Sequence, residues 1–275
     1  MEDGWGSLIV TEEISNFIPN DDEESTIVSH KFSLIEYYSA LYAAQKVEFN
    51  SKDVKRFQEL VKKLERLRHP HIIQFVGVLI ESKKAIPSWF IFERLELTLH
   101  DLLLSETKLE IVQVLDICKQ ICLGLIFLHS QNISHGRLIC SNILIGRGFV
   151  IKLSDVMQHQ IHQLSIGQSD DVRPITEDIF DLGLLIVQLC NHFPAVDEVP
   201  IDLLDKLLQQ HPCFTYLLTH CLAADPSKRL TAIECKTVIE QLITFYSSPQ
   251  SLSTTAKRRR RSTVDEPASK RVVAT

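Results

Sequence analysis

Residues 133–155 read ISHGRLICSNILIGRGFVIKLSD, and this stretch decides the fold. A polar turn, His135-Gly136-Arg137, is followed by apolar Ile143, Leu144 and Ile145, a break at Gly146 and Gly148, and a second short apolar run, Val150 to Leu153. Two β-rich runs of this length separated by glycines predict a β-hairpin with polar groups at its ends. Histidine, arginine, asparagine and aspartate (His135, Arg137, Asn142 and Asp155) then stand at fixed separations around it.

Composition bounds the rest. With 275 residues, 45 % of them hydrophobic and 23 % charged, the chain can build a sizeable core. Its 7 cysteines lack paired C-x-x-C spacing and clustered histidines, which points to reduced core thiols rather than to zinc or a disulfide framework. The N-terminus lacks the order of a secretory signal, and no apolar run is read as approaching the ~18 residues of a membrane span. A soluble protein without a membrane contact is expected. The net charge of -6 is uneven: the first 30 residues carry eight acids and neither Lys nor Arg, whereas residues 247–275 carry seven bases against two acids. Both ends are expected to be unstructured.

The central stretch resembles the protein-kinase catalytic loop, H-R-D-L-x-x-x-N, followed by a hairpin that ends in D-F-G. His135, Leu138, Asn142 and Asp155 match. Gly136 replaces the arginine, Arg137 replaces the catalytic aspartate, and Val156-Met157 replaces Phe-Gly. The wording H-G-x-L-x-x-x-N-I-L, then I-K-L-S-D, is most similar to the pseudokinase domains of the Janus kinases.

Working outward, other kinase motifs fall in order. FSLIEYY and ALYAAQKV, separated by a turn near Tyr38 and Ser39, correspond to strands two and three. Ala44-Gln45-Lys46 keeps an A-x-K core, so Lys46 is the counterpart of the phosphate-holding lysine; a frame shifted by one puts Gln45 there. No glycine occurs between Gly6 and Gly77, so the glycine-rich loop whose backbone closes over phosphates is missing. Apolar residues at 54, 57, 60, 61, 64 and 67 predict the αC helix. Counting back from Pro70 places Leu60 where the family has a glutamate, with Glu59 one position off. Phe92 falls at the gatekeeper position, and Glu93 to Leu95 form the hinge. Residues 111–129 predict a long helix leading to His135. Asp178 to Gly183 matches D-x-x-x-x-G; no A-P-E precedes it. Cys221 to Thr231 follows C-x-x-x-D-P-x-x-R-P-T, with Leu230 for proline, and Thr231 with Glu234 predicts a capping box for a last helix to about Tyr246.

The resemblance implies an α+β, bilobal kinase-like fold: an acidic segment over 1–30, a small β-rich N-lobe with one αC helix over 31–96, a larger helical C-lobe over 97–246, and a basic tail over 247–275. It implies a nucleotide site at Ala44, Lys46, Phe92, Glu93, Leu95 and Leu144, with Asn142 and Asp155 as magnesium ligands and ATP held weakly. Catalysis is another matter. Arginine at 137 stays charged and cannot accept a proton, and general-base catalysis alone is worth roughly 10²- to 10⁴-fold. Three functions are therefore open: a catalytically impaired pseudokinase serving as a binding or allosteric module, an unorthodox active ATP-dependent kinase, and a nuclear scaffold working through its tail. A protein partner is expected. Lys257, Arg258, Arg259, Arg260 and Arg261 suit an import receptor, which places the chain in the nucleus, the cytoplasm or both; nucleic acid is expected only at the tail.

Overall fold

The computed structural model describes residues 8–10, 14–18, 33–37, 39–47, 54–80, 87–95, 97–105, 107–156, 173–193 and 200–248. The basic run at 257–261 and the segment 157–172 lie outside these residues. A six-stranded sheet forms the small lobe: β1 (Leu8–Val10), β2 (Ile14–Ile18), β3 (Ser33–Tyr37), β4 (Ala40–Lys46), β5 (Phe75–Ile80) and β6 (Pro87–Glu93), in the order β1-β5-β6-β4-β3-β2. All neighbours are antiparallel except β1 and β5. The stretch expected to be unstructured up to residue 30 thus supplies two strands. They are recognised by backbone pairing at the two sheet edges, which a short acidic sequence with no apolar period does not advertise.

That strand order fixes the sheet's shape. β1 and β2 lie at opposite edges, yet only residues 11–13 separate them, and four Cα steps span at most about 14 Å. Six strands laid flat would put the edges roughly 24 Å apart. The sheet must therefore curl strongly on itself.

Helix α1 (Val54–Arg66) packs on one face of that sheet, because Phe57, Leu60, Val61 and Leu64 repeat at helical spacing and are buried. Phe57 stacks on Phe90 of β6 at 5.2 Å. Lys63 and Arg66 sit in its last turn, where the helix dipole favours cations.

The large lobe begins with β7 (Leu97–Thr98) and α2 (Leu99–Leu104), whose start is held by reciprocal Thr98 and Asp101 bonds. Helix α3 (Ile111–Ser130) follows. It is long and apolar enough to cross a membrane, with a mean hydropathy of 1.9, so the expectation of no such run needs correction. Val114, Leu115, Ile117, Cys118, Ile121, Cys122, Leu125 and Leu128 nevertheless lie inside the core, against α4 (Ile175–Asn191) and α7 (Ala232–Ser247). The cysteines on it are packing groups, as expected: burial pushes the thiols of Cys118 and Cys122 well up. Between these helices run the hairpin β8 (Ile143–Ile145) and β9 (Ile151–Leu153), then α5 (Ile201–Gln210) and α6 (Thr215–Cys221). The predicted capping box opens α7: Glu234 N–H donates to Thr231 Oγ1 at 3.3 Å and Thr231 N–H to Glu234 Oε2 at 2.7 Å. The architecture is a kinase-like α+β fold of two lobes, one β-rich and one helical.

The lobes are joined by more than the hinge. Ile73 N–H donates to the Leu153 carbonyl (2.9 Å), Leu153 N–H to the His71 carbonyl (3.0 Å), and His71 Nδ1 lies 2.9 Å from the Ile151 carbonyl. Lys152 Nζ reaches Glu93 Oε1 at 2.6 Å, and the same oxygen accepts the Gln74 N–H at 2.7 Å.

Candidate functional site

The catalytic-loop segment is built on one buried carboxylate. Asp178, fully buried on α4, accepts the N–H groups of His135 (2.9 Å) and Gly136 (2.9 Å) and the Ser134 hydroxyl (3.0 Å), and lies 2.9 Å from His129 Nε2. Burial pushes this carboxyl up, but the bonds from His129, His135 and Gly136 outweigh it and leave the group below the usual carboxylate value. A turn earlier, Arg173 donates to both Asp181 oxygens (2.8 and 3.0 Å) and to the Gly136 carbonyl (2.7 Å), while Asp181 accepts the Leu138 N–H (3.2 Å). Gly136 has φ +83°, a conformation suited to glycine. The loop is thus held mainly through its backbone, as residues at this place in the chain must be if their side chains are to face the cleft.

What the loop displays follows from that. Arg137 is exposed at the base position. Its carbonyl accepts the Asn142 Nδ2 donor at 3.0 Å, which fixes Asn142, only 2 % exposed. Asn142's own carbonyl accepts both the N–H (2.9 Å) and the hydroxyl (3.0 Å) of Ser154, so Asp155 follows directly. Asp155 is 7 % exposed and left-handed, φ 58°, a conformation aspartate tolerates better than most residues.

The strand-three position comes out differently from the first alignment. Along β4, side chains alternate: Ala44 lies with Ile35, Leu79 and Ile91 in a second buried cluster on the face away from α1, whereas Ala43 and Val47 lie in the core with α1. Gln45, 6 % exposed, therefore points inward, and Lys46 is exposed on the outer face beside Trp89's register position. The strand-three positions that the resemblance gave to Lys46 and Ala44 therefore fall to Gln45 and Ala43. A strand's two-residue period makes the one-residue frame choice a choice of face, and burial decides it.

Gln45 borders a cavity of about 10 Å³ with Leu64, Leu67, Ile72, Ile73, Phe75, Phe92, Asp155 and Val156. That is room for roughly one water. Leu60, at the place of the family's glutamate, is buried at 3 %. Where the family sets a lysine against a glutamate, this chain sets an amide near aliphatic side chains. Phe92 is buried against Phe75 and Phe90, edge to face at 5.6 and 6.4 Å. Leu144 is buried, and Glu93 and Leu95 are partly buried in the hinge.

Asn142 and Asp155 fit only part of a magnesium site. Magnesium wants six oxygens in near-octahedral array and commonly takes one or two carboxylates plus phosphate oxygens. Here one carboxylate and one amide oxygen are offered, and among the described residues no group of three or more His, Cys, Asp or Glu could hold a metal ion. The pair suits a metal brought in with a nucleotide, where it would supply charge neutralisation.

Sequence reasoning left one charge unplaced. Arg229, 6 % exposed in its side chain, donates to Glu177 Oε1 at 2.7 Å, to the Thr176 carbonyl at 3.1 Å and to the Ala223 carbonyl at 2.9 Å, and its guanidinium lies 4.9 Å from the Phe180 ring centre. Glu177, in the first turn of α4, takes the part of the absent A-P-E glutamate.

Comparison with known proteins agrees with this geometry. Residues 42–172 match the family model of protein tyrosine and serine/threonine kinases. The chain is 24 % identical over 222 residues to serine/threonine-protein kinase pakF of Dictyostelium discoideum, covering 70 % of this chain and 19 % of that one. It is 27 % identical over 199 residues to probable serine/threonine-protein kinase mkcD of the same organism (62 % and 30 %), and 30 % identical over 139 residues to the RAF proto-oncogene serine/threonine-protein kinase of Xenopus laevis (50 % and 21 %). The matched stretch is thus less than a third of each relative's length. The protein carries a kinase-like domain.

Proposed function

We propose that this chain is a catalytically impaired kinase-fold module that works by binding a protein partner, not by transferring phosphate. One observation carries the reading: the three side chains that would hold the phosphates, orient that holder and accept the substrate proton are replaced at once, by Gln45, Leu60 and Arg137, while the scaffold around them is intact. Phosphoryl transfer depends almost wholly on positioning and charge stabilisation, so losing the lysine, its carboxylate partner and the base removes most of what the protein could contribute. The Asp178 network supports loop geometry and fold rather than activity. The likeness of the loop's wording to Janus-kinase pseudokinase domains supports the same reading. ATP, with or without magnesium at Asn142 and Asp155, would be held weakly. The basic run 257–261 suits an import receptor, which adds a nuclear location to the proposal.

The second reading, an unorthodox kinase, is favoured by where Asn142 sits. Asn142 donates its side-chain amide to the Arg137 carbonyl and its backbone carbonyl accepts Ser154, which places it beside Asp155. A phosphotransfer assay on wild type and Asp155→Ala decides between the two. No incorporation above the Asp155→Ala background is expected; magnesium-dependent transfer that this substitution abolishes would establish the second reading instead. Lys46→Ala is unsuitable as the dead control, because Lys46 is on the outer face.

A further inference from the structure

We propose that the solvent face of helix α1 is a docking surface for an acidic segment of a partner protein, one that carries a basic residue among its acids. The inference rests on the reading above, in which the chain works by binding a protein. It names the charge pattern that the partner must bring.

Helix α1 has two faces of different character. Phe57, Leu60, Val61 and Leu64 are buried, whereas Lys55, Arg56, Glu59, Lys62, Lys63 and Arg66 are exposed. The helix holds five bases against two acids, Glu59 and Glu65, a net +3 in a chain whose net charge is -6. Helical geometry gathers Lys55, Glu59, Lys62 and Arg66 into one ridge, within about 60° of one another and about 16 Å long.

Fold stability does not account for this placement. A helix start carries partial positive charge and favours acids, and α2, α4, α5 and α7 follow the rule with Asp101, Glu177 and Asp178, Asp202, and Glu234. The first turn of α1 has no acid and holds Lys55 and Arg56 instead, against the dipole. Nor are the ridge cations spent on neighbours. Lys119 and Asp116 pair at 2.7 Å on α3, and Lys236 and Glu240 at 2.8 Å on α7. Among the described residues Lys55, Lys62, Lys63 and Arg66 make no ion pair or hydrogen bond, although Glu59 stands three or four positions from the three lysines.

The order of signs selects the class of partner. Along the ridge the charges run plus, minus, plus, plus. A nucleic-acid backbone is uniformly negative and would meet Glu59 with repulsion in the middle of the contact. A protein segment can answer every position, with acids opposite Lys55, Lys62 and Arg66 and a base opposite Glu59, as charge pairs between helices set partner choice.

The test is fluorescence anisotropy of the full chain with two probes at low salt: a helical peptide bearing Glu, Lys, Glu and Glu at the matching spacing, made in both chain directions, and a short DNA duplex. The chains are wild type, Lys55→Gln/Lys62→Gln, Glu59→Lys, and a variant with residues 257–261 replaced by alanine, since that basic run also attracts acids. The double variant is expected to bind the peptide fivefold or more weakly than wild type and to melt no lower. Glu59→Lys should weaken peptide binding at least twofold, and the tail variant should stay within threefold of wild type. No peptide binding by wild type would overturn the proposal, as would unchanged binding by the double variant, or its melting below wild type, which would assign the cations to the fold. So would loss of binding in the tail variant, tighter peptide binding by Glu59→Lys, or a tail variant that prefers DNA to the peptide. None of these outcomes touches the claim of impaired catalysis, which fails on phosphate transfer alone.

Discussion

Replacing Glu177 by Gln should destabilise the large lobe although the two side chains have nearly the same volume. The substitution leaves Arg229, 6 % exposed, with its two carbonyl acceptors and the Phe180 ring but without a counter-ion. Breaking a fully buried pair costs about 3–5 kcal/mol. Glu177 is 27 % exposed, and solvent screening reduces the cost to roughly 1–2 kcal/mol. Arg229→Met should cost more, about 3 kcal/mol, since it also gives up the carbonyl bonds and the ring contact. The two changes share one interaction, so the double variant should resemble Arg229→Met, with a coupling on the order of 1–2 kcal/mol. Urea unfolding reads this directly: with a slope of about 2 kcal/mol per molar, Glu177→Gln moves the midpoint down by roughly 0.5–1 M. Additive single effects, with coupling below about 0.3 kcal/mol, would refute the claim that Glu177 serves as the partner of Arg229.

Three other outcomes follow from particular contacts. Gly183→Ala on α4 should lose about 1–3 kcal/mol despite alanine's better helix propensity, because the new Cβ would stand 2.7 Å from Leu222 Cδ2 and 2.9 Å from Cys221 Cβ; a melting temperature equal to wild type would contradict it. Burial holds His135 below its usual 6.5, against the upward pull of Asp178 and Asp155, so the unfolded chain takes up a proton first as the pH falls; stability should be full above 6.5 and decline below it, with His135→Phe flattening the slope between pH 7.5 and 5.5. Asp178, depressed below 3.8, adds stability above that value that is lost as pH falls through its folded pKa, so acid unfolding of Asp178→Asn should show a shallower limb there. Deleting residues 257–261 should shift the protein toward the cytoplasm in cells, and an unchanged distribution would remove the import proposal.

The fold was legible where motifs are local or periodic. His135, Asn142 and Asp155 sit where the loop spacing put them, Asp178 holds the loop, and the strands near Tyr38 turn at Ser39, φ 59°. The αC period at 57, 60, 61 and 64 fixed both the helix and the burial of Leu60. What failed did so for physical reasons. The choice between Gln45 and Lys46 turns on which face of β4 meets α1, a long-range fact that a strand of small apolar residues on both sides does not encode. β1 and β2 form through backbone pairing with partners some twenty to seventy residues away. Glu177 lies 52 residues from Arg229, and no local pattern links them.

The most direct test of the account is the mass of the intact protein after prolonged incubation with magnesium-ATP and a generic acceptor, for wild type, Arg137→Asp and Asp155→Ala. No phosphate should appear on protein or acceptor with any of the three, because restoring a base at 137 leaves Gln45 and Leu60 where the lysine and glutamate are needed. Phosphate transferred by wild type, and absent with Asp155→Ala, would contradict it.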